Sequence, residues 1–273
     1  MSAIARALGV NRPHLSSSQR QVKTPRQVSH KGDTVLVERI KDLVKDRASY
    51  GYRRVAARLN ASSPTSPRVN HKRAYRVMKA TGLLLPKHSG RKVRVHDGQV
   101  ATLRSDLRFC SDAFEVRCLN GERVHVAFAL DCCDREVVAF TAQARHLVGD
   151  DVRDLMAEVV DVRFAATRCP HPIEWLSDNG PIYTAHETRA FGASCGFIVT
   201  TTPSYSPESN GMAEALVKTM KRDYIYVAEF EDVADAASLI RRLPGWFADY
   251  NEHAPHKALR MLSPREFRRQ EAA

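Results

Sequence analysis

Three carboxylates stand where their type and setting could do chemistry. Asp112 interrupts a run of alternating apolar and aromatic residues that includes Phe109, Phe114 and Val116, so it sits inside a strand. Asp178 follows the short apolar run 173–176 and precedes Asn179-Gly180, a turn-forming pair. Glu214 lies one turn past Asn210-Gly211 on a helical stretch that begins near Ser206-Pro207. Ligands of open α/β sheets bind at the sheet's carboxyl edge, and three acids carried there would form a set of hard oxygen donors suited to Mg²⁺ or Mn²⁺. Two such ions about 3.5–4 Å apart activate a water or a 3′-hydroxyl and stabilise a leaving 3′-oxygen, the requirement of phosphodiester hydrolysis and strand transfer. On spacing alone a plainer alternative stands beside this one. Asp178 also reads as a turn former, and Glu214 as part of a solvated helix face.

The elements that must position these acids read as an α/β arrangement. Segments 109–118, 124–130 and 136–142 are rich in β-branched and aromatic residues, with Asn120-Gly121 as a hairpin turn. A helix over 150–164, a buried strand over 173–176, a helix over 185–195, a strand over 197–201 and a long helix over 208–227 follow. Three antiparallel strands and then alternating helices and strands predict a mixed sheet flanked by helices. Asp131 and Arg135 read as a structural pair, Trp175 and Trp246 as core, and His256 as a packing or capping residue.

The chain of 273 residues has a net charge of +11. Residues 1–105 hold 23 Lys and Arg against five Asp and Glu, a balance of +18, whereas the rest holds 19 against 26, a balance of −7. A basic first third on an acidic remainder suits a polyanion grip attached to a domain that concentrates carboxylates. Residues 1–16 read as a partial helix-turn-helix, with Pro13 in the first turn of the second helix. Residues 17–32 form a polar linker. Residues 33–85 read as a second helix-turn-helix-like unit, with Asp33 or Thr34 capping its first helix, Asn70 its third, and Gly82 ending that third helix. Arg73, Arg76 and Lys79 recur three apart on it, Arg53 and Arg54 begin the helix before it, and Arg91 and Lys92 lie in a basic linker over 86–105 suited to phosphates. Residues 106–273 form the catalytic unit with a helical tail. No apolar run approaches the roughly 20 residues that cross a bilayer, and no export signal opens the chain, so the expectation is a cytoplasmic protein. The six cysteines form no C-x-x-C pair and read as buried thiols rather than zinc ligands or disulfides.

Residues 107–270 resemble the retroviral-integrase-like catalytic core of OrfB-type insertion-sequence transposases, the bacterial family with two overlapping reading frames. Arg108-Phe109-Cys110-Ser111-Asp112, the stretch from Phe128 to Arg135, Trp175-Leu176-Ser177-Asp178-Asn179-Gly180 and the run from Ser206 to Glu214 carry the likeness. The tail adds Tyr250-Asn251, Pro255-His256, Leu259 and the run from Ser263 to Phe267. Phe109, where the family usually has Trp, and Ala113, where this subgroup often has Gly, depart from the pattern. The resemblance implies an RNase H-like core and a D-D-35-E triad of Asp112, Asp178 and Glu214, and 35 residues separate the last two. It further implies that Lys221, two helical turns after Glu214, and Lys218 beside it face DNA, and that each site takes two Mg²⁺ or Mn²⁺ ions. Tyr50-Gly51-Tyr52-Arg53-Arg54 resembles the helix-turn-helix that precedes this core. Expected partners are double-stranded DNA, as terminal inverted repeats and target, and other copies of the chain on that DNA. The expected reaction is end nicking and strand transfer through a circular intermediate. Met1 falls almost on the first helix of the pair in residues 1–16. In the resembling family a product of the upstream frame, fused by frameshifting, completes the DNA-reading unit, and the resemblance implies the same here.

Overall fold

The computed structural model describes residues 31–63, 65, 67–86, 102–202 and 210–271. The helix pair expected at 1–16, most of the 17–32 linker, and Arg91 and Lys92 of the basic linker lie outside the described residues.

Three helices open the described chain: α1 (Lys31–Asp46), α2 (Tyr52–Ala61) and α3 (His71–Ala80). Leu36 and Ile40 of α1, Val55 and Leu59 of α2, and Ala74, Val77 and Met78 of α3 bury one another in a core of their own. The Asn70 side chain accepts from the Lys72 N–H at 2.8 Å and so caps α3. Gly82 ends that helix in the left-handed region at φ 71°, where L side chains are strained. Asp33 does not cap α1, because the helix already begins at Lys31. It lies buried in the first turn, 2.8 Å from the Arg73 guanidinium.

Five strands form one sheet in the order β3-β2-β1-β4-β5. They are β1 (Arg108–Arg117), β2 (Arg123–Asp131), β3 (Val137–Gln143), β4 (Ile173–Ser177) and β5 (Phe197–Thr201). The first three are antiparallel, while β4 and β5 run parallel to β1. This is the RNase H-like mixed sheet. Side chains alternate across it. Phe109, Ala127, Ala129 and Trp175 pack on one face with α4 (Gly149–Phe164) and with α5 (Pro181–Thr184) and α6 (His186–Ser194) beyond it. Cys110, Phe114, Val126 and Phe128 pack on the other with α7 (Gly211–Asp223) and α8 (Ala236–His253). Trp175 and Trp246 are both buried in these cores. All six cysteines are free thiols and five are buried. A last helix, α9 (Pro264–Glu271), closes the described chain. Among the described residues, no helix is long and apolar enough to cross a membrane.

Two polar clusters brace this frame. At the end of β2, Asp131 is fully buried and accepts N–H groups from Asp106, Cys133 and Asp134 at 2.7–3.2 Å. Burial and the neighbouring Asp134 charge push its pKa up to about 7, against those bonds. Its expected partner Arg135 does not pair with it. Arg135 turns the chain at φ 62°, and the guanidinium within reach is that of Arg163, at 4.0 Å. Arg163 also bonds Glu136 at 2.9 Å, while Arg265 and Arg268 of α9 reach Glu136 and Asp134 at 2.7 and 3.1 Å. On the edge strand β3, the Asn251 side chain both accepts from and donates to the Val137 backbone, at 2.9 and 2.8 Å.

The second cluster joins the helical bundle to the sheet domain. Arg47 pairs with Asp249 at 2.5 Å and lies 5.0 Å over the Tyr224 ring, whose hydroxyl donates to the same Asp249 at 2.8 Å. Buried Asp223 takes the Ser49 hydroxyl, the Arg222 guanidinium and, at 3.6 Å, Arg54. This clamp helps explain why α7 stops at Asp223 instead of running to 227. Tyr224 leaves helical geometry at φ −128°, and a 3₁₀ turn (Ile225–Val227) follows.

Burial would raise the Asp223 carboxyl, but its bonds to Arg222 and Ser49 and the Arg222 and Arg54 charges outweigh burial and hold it below the usual carboxylate range. Its contribution to stability is therefore present above the unfolded value of about 3.9 and is lost as pH falls through the lower folded value. Asp223→Asn should cost roughly 2 kcal/mol near neutral pH, the scale of a charged hydrogen-bond set. Chemical denaturation should show that gap narrowing as pH falls through the acid range. A gap that stays constant would mean the carboxylate charge does not hold the clamp.

Candidate active site

The placement of the acids begins with strand register. β1 pairs with β4 at Arg108–Glu174, Phe109–Trp175 and Cys110–Leu176, and β4 ends one residue later at Ser177. Two residues beyond the last pair, the two chains reach Asp112 and Asp178. On its other side, Asp112 stays in the antiparallel ladder opposite Phe128. Alternation sends its side chain to the face of Cys110 and Phe114, which α7 covers. Glu214 is on the first turn of α7, the helix that covers that face.

Local bonds fix the frame around them. Asp112 is half-buried and accepts the N–H of Ala113 at 2.8 Å. Burial is the main cause that lifts its pKa to about 6, and the Asp178 and Glu214 charges add to the rise. Asp178 is exposed and accepts the Gly180 N–H at 2.9 Å, the short-range turn that Asn-Gly predicts. A Cβ on Gly180 would lie 2.9 Å from the bonded Asp178 Oδ1, so glycine leaves that carboxylate its place. The Asn179 amide donates to the Thr202 carbonyl at 2.8 Å, and the Thr202 N–H donates to Ser177 at 2.9 Å, which ties the turn to the end of β5.

Sequence reasoning gave no role to the residues that brace Asp112 from behind. Ser111 is fully buried and its hydroxyl shares a 3.0 Å hydrogen bond with Tyr183 of α5. The Asn210 amide donates to the Ser111 carbonyl at 3.2 Å and so fastens the start of α7 beside Asp112. Burial raises the Tyr183 hydroxyl well above its ordinary pKa. Asn210 stands where a helix cap belongs, which is a legible signal, yet its side chain reaches across to β1 instead.

Glu214 is partly exposed and takes the Lys218 ammonium at 3.0 Å. Lys221 holds its ammonium 5.9 Å from the centroid of the Phe114 ring, two residues from Asp112 along the same face. Among the described residues, no three His, Cys, Asp or Glu side chains come close enough together to hold a metal ion. Asp112 nevertheless registers the negative charges of Asp178 and Glu214, and three carboxylates are the hard oxygen donors that a dication such as Mg²⁺ would take.

The residues expected to contact DNA divide into two groups. Arg53, Arg76, Lys79 and Lys218 are exposed. Arg73 and Arg54 are drawn inward to Asp33 and Asp223, so they serve the bundle and its seam first.

Two matches to the Integrase core domain family, over residues 103–207 and 198–264, and one to an HTH-like domain, over residues 31–91, define the class: an integrase core preceded by a helix-turn-helix-like unit. The chain belongs to the insertion-element transposases that carry such a core. It is 41% identical over 279 aligned residues to transposase InsD for insertion element IS2 of Escherichia coli, covering 100% of this chain and 92% of that protein. It is 52% identical over 187 residues to an uncharacterized protein of insertion element IS136 from Agrobacterium fabrum, covering 68% of this chain and 94% of the relative. A chain in the cryoEM structure of the simian T-cell lymphotropic virus intasome in complex with PP2A regulatory subunit B56 gamma shares the fold. Its TM-score is 0.50 at 15% identity, covering 78% of this chain and 74% of that one.

The coupling of the acids is open to direct measurement. Asp178→Asn removes one negative charge and should lower the Asp112 pKa in metal-free protein, read by carboxyl carbon NMR. Because burial is the larger cause, the value should remain above the ordinary carboxylate range. An unmoved titration would mean that Asp178 does not face Asp112.

Proposed function

We propose that this chain cuts DNA at the ends of an insertion element and joins the freed 3′ ends to a target, with Asp112, Asp178 and Glu214 as a D-D-35-E set. The observation that carries the reading is the β1–β4 register, which leads Asp112 and Asp178 to one edge, with the charges of Asp178 and Glu214 both felt at Asp112. The three carboxylates would hold two Mg²⁺ or Mn²⁺ ions, whose role in this chemistry is to activate the attacking oxygen and stabilise the departing one. The chain's own part is positional. The β1 ladder fixes Asp112, the Gly180 N–H orients Asp178, and α7 carries Glu214 with Lys218 beside it and Lys221 further along the helix. Lys218 and Lys221 then face the scissile strand. Exposed Arg53, Arg76 and Lys79 lie on the helical bundle, where they would grip duplex phosphates, together with Arg91 and Lys92. The domain division at residues 33–85 and 106–273, assembly as a multimer on terminal repeats and target, fusion to an upstream-frame product and action in the cytoplasm belong to the same reading.

Asp112→Asn, Asp178→Asn and Glu214→Gln should each abolish Mg²⁺-dependent cleavage of a terminal-repeat duplex in a gel assay while leaving its affinity nearly intact. These changes remove acidic groups and leave the phosphate contacts in place. Substantial cleavage by any one of them would remove that residue from the set.

Gly180→Ala is a finer probe, because the three atoms nearest the added methyl group all belong to the Asp178 side chain. The melting temperature should move little, whereas cleavage should fall on the order of 10²-fold, the cost of a misplacement near 1 Å. Full activity in this variant would mean the Asp178 carboxylate needs no fixed place.

A further inference from the structure

Beyond the short 3₁₀ turn Lys257–Leu259, Arg260 and Met261 adopt positive φ values of 56° and 68° one after the other. Left-handed backbone costs a non-glycine residue roughly 1 kcal/mol or more, and two in succession persist only where the surroundings impose them. Here His256 imposes them. Its carbonyl accepts the N–H groups of Leu259 and Met261 at 3.1 and 2.8 Å, and its own N–H donates to Leu262 at 3.0 Å. The His256 ring is buried edge-on against Tyr250, 5.1 Å between centroids. The turn presents exposed Arg260 to the helical bundle, where it lines a hollow of about 650 Å³ with Arg53, Asn60, Arg68 and His71. An adjoining hollow shares Arg53 and His71 and adds Tyr52, Lys72, Tyr75 and Arg76. No Asp or Glu lines either hollow among the described residues.

Basic side chains alone would suit any polyanion, but the aromatic groups narrow the ligand. Tyr75 is 38% exposed and meets Tyr52 edge-on at 5.2 Å, Tyr52 lies 6.2 Å from the His71 ring, and the Arg53 guanidinium sits 5.3 Å over Tyr52. A duplex hides the faces of its bases in the stack, whereas an unpaired base offers its face to a ring. We propose that these two hollows form one track for a single DNA strand, with phosphates on Arg260 and Arg68 and an unpaired base stacked at Tyr75, beside the arginines that grip the duplex. The proposal rests on the reading of DNA as substrate, since cleavage is what frees a strand end.

The test compares a fluorescein-labelled single-stranded oligonucleotide with the blunt duplex of the same sequence, by anisotropy on the full chain. Tyr75→Ala should weaken strand binding about tenfold, the scale of one lost base stack, and leave duplex binding within error. Tyr75→Phe should restore it, because the ring and not the hydroxyl stacks. Arg260→Ala should weaken strand binding and reduce its salt slope by about 0.7, one single-strand phosphate contact. Equal losses on strand and duplex would overturn the strand track in favour of a duplex surface, as would a Tyr75→Ala variant with no loss at all. A wild-type chain that binds neither probe would overturn the DNA reading itself.

Discussion

Carboxylates gathered at one sheet edge repel one another, so the fold must hold them with bonds that leave their charge intact. Asp112 and Asp178 meet that constraint through backbone N–H groups, from Ala113 and Gly180. The bracing behind them is neutral as well, made of Ser111, Tyr183, Asn210 and Asn179. The acid corner at the end of β2 is built on the opposite plan. Arg163, Arg265 and Arg268 answer Asp134 and Glu136 there. One acidic cluster is closed by arginines and the other, among the described residues, has no ion pair to Asp112 or Asp178. Electrostatics thus separates a cluster neutralised by arginines from one whose two aspartates keep uncharged partners.

Much of this frame was legible because it is local. Alternation located the strands, Asn120-Gly121 the hairpin and Asn70 the start of α3, and each depends on neighbours within a few residues. The turn after β4 was legible for the same reason. What escaped was pairing between distant elements. Asp131 finds Arg163, 32 positions along, and not Arg135 beside it, because only the packed sheet shows which guanidinium is near. Arg54 looked like a DNA contact and is drawn to Asp223, 169 positions away. The long helix expected over 208–227 ends at Asp223, where that same clamp is fastened, a contact no helical period could reveal.

The bundle contributes twice to the molecule. One surface meets the sheet domain through Arg47, Ser49 and Arg54, and another, beside the Arg260 turn, carries Arg53, Tyr75 and Arg76. Arg53 and Arg54 therefore face different partners, as neighbours on a helix must when they are about 100° apart.

The bundle and the sheet domain keep separate apolar cores, and the clamp at Asp223 and Asp249 ties them through ion pairs and hydrogen bonds. Salt screens partly buried ion pairs of this kind much less than it screens exposed charges. Adding salt to the protein on DNA therefore acts first on the phosphate contacts and leaves the bundle seated on the helix that carries Glu214. An apparent count of phosphates drawn from such a titration would then report the nucleic acid and not the protein's own seam.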